Sequence, residues 1–90
     1  MTCRIDRLSR EEGVVLHISG RITEEHLDVL RTALADGRVV AFDLTEVELV
    51  DREAVAFLAT TEGNGVALRH CPAYIREWVT REGDRDDKTR

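Results

Sequence analysis

Val39-Val40-Ala41-Phe42-Asp43-Leu44 is a short, nearly continuous apolar run, interrupted by an aspartate just before its last residue. A run of this length suits a strand covered on both faces, as in parallel sheets. By alternation Val39 and Ala41 fall on one face of that strand, and Val40, Phe42 and Leu44 on the other. The next stretch, Thr45-Glu46-Val47-Glu48-Leu49-Val50, reads as a short acidic connection. Asp51 then has the marks of a helix start: its carboxylate can accept from amides of the first turn. Glu53 in that turn suits the positive end of the helix dipole. The middle of the chain is therefore read as buried strand, loop and helix.

Working outward towards the N-terminus, Val14, Leu16 and Ile18 alternate with Val15, His17 and Ser19, the period of a strand with two different faces. Cys3 to Leu8 is a weaker strand anchored by Ile5. The polar turn Ser9-Arg10-Glu11-Glu12-Gly13 makes the two an antiparallel hairpin. His17 has no carboxylate or serine beside it in sequence and is read as a sheet residue. Gly20-Arg21-Ile22-Thr23 leads into a helix with Thr23 as N-cap, Glu24 and Glu25 in its first turn, and Leu27, Leu30 and Leu34 as its apolar stripe. Asp36-Gly37 ends it.

Towards the C-terminus, the helix opened by Asp51 is apolar nearly all round from Ala54 to Ala59. Such a helix is buried on more than one side or keeps one face for a partner. Glu62-Gly63-Asn64-Gly65 stops it. Val66 to His70 forms a fourth strand, and Pro72 opens a last helix with Ile75, Trp78 and Val79 on one stripe. The stretch 83–90 is charged and without apolar residues, so a disordered tail is expected there. Residues 1–82 form one domain.

The element order is β-β-α-β-α-β-α. The fold class is α/β: a four-stranded mixed, mostly parallel sheet with helices mainly on one face. The crossovers are right-handed, so strands in sequence order wind as a right-handed coil of strand and helix. The sheet face away from the helices is also apolar near Val39–Leu44. The last helix, neighbouring side chains or a second copy of the chain, as in a homodimer, must shield it.

The 90 residues carry a formal net charge of −5, which disfavours nucleic acid and anionic lipid as partners. No apolar run approaches the roughly 20 residues that span a bilayer. Met1 to Asp6 lacks the apolar core of a signal peptide, so the cytoplasm is the expected location. Cys3 and Cys71 are read as free thiols.

Sites in open α/β sheets gather beyond the carboxyl ends of the parallel strands. That edge carries Asp43, Thr45, Glu46, Glu48, Asp51 and Glu53. Asp43 and Thr45 are read as fastening a loop, and Asp51 as a cap. A divalent cation would need several of these oxygens at once, and no metal or cofactor is expected. The sequence has no glycine-rich phosphate loop and no serine set beside a histidine. The chain is therefore read as a binding protein rather than an enzyme.

Asp43-Leu44-Thr45-Glu46-Val47 followed by Leu49-Val50-Asp51-Arg52-Glu53-Ala54-Val55 resembles the signature of the STAS domain family, the bacterial anti-sigma factor antagonists. Ser19-Gly20-Arg21-Ile22 resembles the strand-to-helix turn of that family. The resemblance runs in element order from about Val14 to Val79. It implies a cytoplasmic, non-catalytic regulator that binds an anti-sigma factor or a similar kinase-fold switch protein. The docking residues it implies are Val50, Asp51, Arg52, Glu53 and Phe57. In regulatory members a serine that a partner kinase phosphorylates follows the second aspartate, and here that position is Arg52. Arginine has no hydroxyl to take a phosphoryl group, and its charge is opposite to that of phosphoserine. The alternative is an accessory subunit of a membrane transporter, such as a lipid-handling one, docked on the cytoplasmic ATPase. A small ligand held under the apolar sheet face is a third reading.

Overall fold

The computed structural model describes residues 3–35 and 37–88, with side chains as far as Glu82. Strand β1 (Cys3–Arg10) and strand β2 (Gly13–Ile22) form the expected antiparallel hairpin. A 3-10 turn at Glu24–His26 leads into helix α1 (Leu27–Leu34). Strand β3 (Val39–Val50), helix α2 (Arg52–Gly63), strand β4 (Ala67–Arg69) and helix α3 (Ala73–Lys88) complete the chain. The strands lie in the order β1-β2-β3-β4, with β2, β3 and β4 mutually parallel. This is the expected α/β architecture with a mixed, mostly parallel sheet. Helix α3 carries on to Lys88, so the backbone of the expected disordered tail is helical that far. Thr89 and Arg90 lie outside the described residues.

One boundary differs in a way that matters for the site. The acidic stretch Thr45–Val50, expected as a loop, is the second half of β3 and pairs with Ser19–Ile22 of β2. The register between the two strands breaks at three places, after Val14, after His17 and after Gly20. Each break gives β3 one extra residue opposite β2, as a β-bulge does. An extra residue moves everything after it to the other face. The residues of β3 that join the core are therefore Val39, Phe42, Leu44, Val47 and Val50. Val39 shares a face with Phe42 and Leu44, contrary to simple alternation, and Val40 stays outside the core.

Val40 explains a glycine. Gly13 has φ +144°, and a Cβ there would lie 2.6 Å from the Arg38 carbonyl oxygen and 2.7 Å from Val40 Cγ1. The Val14 amide donates to that same carbonyl at 2.9 Å. The first bulge thus pushes β3 so close to the hairpin that only glycine fits.

The core lies between the sheet and its helices. Leu16, Ile18, Ile22, Leu30, Phe42, Leu44, Val55, Leu58 and Ile75 are fully buried. Helix α2 is buried on two sides: Ala54, Val55 and Leu58 reach the core, and α3 packs along it. The bidentate pair of Arg76 with Glu62, at 3.0 and 2.9 Å, ties those helices. On the opposite sheet face Val15 and Ala41 are buried outside the main cluster. There Arg69 of β4 reaches Glu12 of the hairpin turn at 3.6 Å. Neighbouring side chains thus contribute to the shield that this face needed.

Candidate functional site: the head of helix α2

Asp51 is extended (φ −98°, ψ 179°), the backbone that N-caps adopt. Its Oδ1 accepts from the Ala54 amide at 2.9 Å, the expected cap. Its Oδ2 accepts from the Glu24 amide at 3.0 Å, at the head of the 3-10 turn. Its own amide donates to the Ile22 carbonyl at 3.2 Å. One carboxylate therefore fastens the starts of two helical segments that are 27 residues apart in sequence. The neighbouring cap is local: the Thr23 amide donates to His26 Nδ1 at 3.2 Å.

The five expected docking residues divide. Val50 is only 3% exposed and belongs to the core, so it presents no side chain to a partner. Asp51 has both oxygens engaged. Arg52 and Glu53 stand in solvent, followed along the same face of α2 by exposed Ala56 and Thr60. Phe57 is half-buried. Its ring stacks on Phe42 (centroids 6.4 Å apart, planes at 20°), and the Arg31 guanidinium sits 5.5 Å above it.

Arg31 and Phe57 lie in a cleft between α1 and α2 of about 310 Å³, lined also by Leu34, Glu53, Ala56 and Thr60. A second hollow of about 280 Å³ shares Leu34, Thr61 and Asn64 with it and runs down to Gly37, Val39 and Val66. The two hollows adjoin at these shared residues, and apolar and polar side chains line both.

A second cluster lies on the far sheet face. Asp43 Oδ1 accepts from the Thr45 amide at 3.0 Å and the Thr45 hydroxyl at 2.6 Å. His70 Nδ1 stands 3.5 Å from the same oxygen, and His17 is its neighbour across the strands. Burial works to raise the Asp43 pKa, but the two bonds from Thr45 and the nearby His70 and His17 outweigh it and hold the carboxyl below its usual range. His70 adopts φ +56°, a left-handed conformation at the turn from β4 to α3. The Thr45 hydroxyl donates to the carboxylate rather than to an imidazole. Asp43 holds a backbone amide, as expected, but that of Thr45 and within a strand rather than a loop. The two histidines were not legible, since β2 and the turn after β4 bring them to Asp43 of β3.

Cys3 and Cys71 are both free thiols. Burial pushes both pKa values up; at Cys71 the Arg76 guanidinium pulls the other way and Glu62 adds to the rise. Of the acidic set, Glu46, Glu48 and Glu53 are exposed, while Asp43 and Asp51 are spent on hydrogen bonds. Among the described residues no group of three or more histidine, cysteine or acidic side chains could hold a metal ion. No helix there is long and apolar enough to cross a membrane. Comparison with known proteins adds no relative: no protein-family profile and no curated protein sequence matches the chain.

Proposed function

We propose that the chain is a non-catalytic protein-interaction module of the STAS type, a cytoplasmic regulator that binds an anti-sigma factor or a similar kinase-fold switch protein through α2. The observation that carries this reading is the exposed stripe Arg52, Glu53, Ala56 and Thr60 beside the Phe57 cleft. An exposed helix face with the small Ala56 and Thr60 at its middle, beside the half-buried Phe57, suits a docked polypeptide. Asp51 keeps that helix fixed before any partner arrives, which lowers the ordering cost of binding. Arg52 stands at the first position of α2, where a phosphorylated serine would switch a regulatory member. Affinity is then constitutive, or controlled from the partner's side.

Two measurements test this. Capture of a partner from the native host should succeed with the wild type and fail with Ala56→Glu, a change on an exposed face that spares the core. Recovery of a transporter ATPase in place of a switch protein would replace the regulator reading with the accessory-subunit one. Incubation with a captured kinase and ATP should leave residues 44–57 without phosphate. A phosphoryl group on Thr45 would contradict the account.

A further inference from the structure

β4 pairs with β3 only at Ala41, Phe42 and Asp43. β3 continues to Val50 with β2 along its other side. From Leu44 onward its second edge has no strand beside it among the described residues; α3 packs on α2 and touches that edge through Tyr74. Two backbone groups there are held by side chains. The Thr45 amide donates to Asp43, and the Glu48 carbonyl accepts from the Tyr74 hydroxyl. These side chains stand where groups of a further strand would otherwise bond.

Open edges invite another strand, and proteins blunt them with charged side chains, proline or bulges. Thr45-Glu46-Val47-Glu48-Leu49 has no lysine or proline, and its only charges are acidic, which repel an acidic strand but not a basic one. Leu49 and Tyr74, 47% and 51% exposed, are two of the exposed large apolar side chains among the described residues. Glu46 and Glu48 are exposed on the same stretch, and no basic residue lies between Asp43 and Asp51. The bulges twist the edge, which limits any addition to a short segment.

We infer that this edge accepts an extended polypeptide segment bearing lysine or arginine, added as a short strand beyond β4. Its main chain bonds to β3, its basic side chains face Glu46 and Glu48, and an apolar one meets Leu49 and Tyr74. Main-chain bonds supply affinity in such additions, and alternate side chains supply selectivity. A second copy is the poorer occupant, because it would set acidic edge against acidic edge. The inference uses different atoms from the α2 stripe, so either surface can fail without the other.

The test uses the whole chain and a labelled heptapeptide of alternating lysine and valine, followed by fluorescence anisotropy and amide hydrogen exchange. Saturable binding with slowed exchange at Glu46–Leu49 is expected. The double variant Glu46→Lys/Glu48→Lys should bind about tenfold more weakly. Tyr74→Phe, which keeps the ring but frees the Glu48 carbonyl, should bind about threefold more tightly. Ala56→Glu should leave binding unchanged. Equal binding by the same peptide N-methylated at alternate amides would reduce the effect to charge adsorption and overturn the inference. So would protection on α2 instead of β3, or no binding.

Discussion

β2 and β3 lie side by side, yet they carry their core residues by different rules. β2 places Val14, Leu16, Ile18 and Ile22 inward on a strict period of two. β3 sends in Val39, Phe42, Leu44, Val47 and Val50, with gaps of three, two, three and three. Nine residues of β2 face twelve of β3, and the three bulges absorb the difference. A strand with regular pairing declares itself through alternation. A bulged strand hides the same burial behind a pattern that resembles a loop. The extra residues also bend β3 so that Asp51 arrives beside both Ile22 and Glu24. The irregular strand therefore builds the head of α2.

Changes to the residue count should break this contrast most severely. Deleting Glu48 removes the extra residue of the third bulge, so either Leu49 and Val50 exchange faces or Asp51 leaves its bonds. A loss above about 4 kcal/mol is expected in chemical denaturation. Glu48→Ala keeps the count and should stay within about 0.5 kcal/mol. Gly13→Ala probes the first bulge from the β2 side. Strain at positive φ together with the contacts to Arg38 and Val40 should cost about 2–3 kcal/mol.

Asp51→Ala cuts both bonds at the head of α2 and should cost about 2 kcal/mol. Asp51→Asn retains acceptance at one oxygen and should cost about half of that. Hydrogen exchange should then quicken at Glu24 as well as Ala54, which a purely local cap would not produce.

The cap itself was legible because it is local: Asp51 directly precedes Arg52, Glu53 and Ala54. Its bond to Glu24 was not, since nothing in sequence brings those two residues together. The same division runs through the molecule. Alternation gave away β2, the apolar wheel of Ala54–Ala59 gave away α2, and handed crossovers put the helices on one face once the strands lie in sequence order. Thr45–Val50 was misread because bulges broke the period, and Val50 was misplaced with it. Asp43 and Thr45 read in sequence as satisfying loop backbone groups, and their bond to each other does not show there. The approach of Asp43 to His70 depends on β4 lying beside β3, so only the fold reveals it.

Asp43 gives a smaller effect with a definite pH signature. Its folded-state pKa is lowered, so its stabilisation is complete above the unfolded carboxylate value near about 4. It is lost as pH falls through the lower folded value. Asp43→Asn should cost about 1 kcal/mol near pH 7, and the two proteins should converge in acid. The smallest expected change is Arg76→Lys, where a bidentate but partly exposed pair becomes a single contact. A double-mutant cycle with Glu62→Gln should return a coupling of about 0.5–1 kcal/mol.

The central functional claim is that the outward stripe of α2 is the surface another polypeptide grips. A benzophenone amino acid in place of Ala56, and separately in place of Arg10 on the β1 edge, would test it directly by photo-crosslinking in the native host. The account predicts a discrete adduct to one polypeptide from position 56 and none from position 10. No adduct at position 56, or the same adducts from both positions, would contradict it.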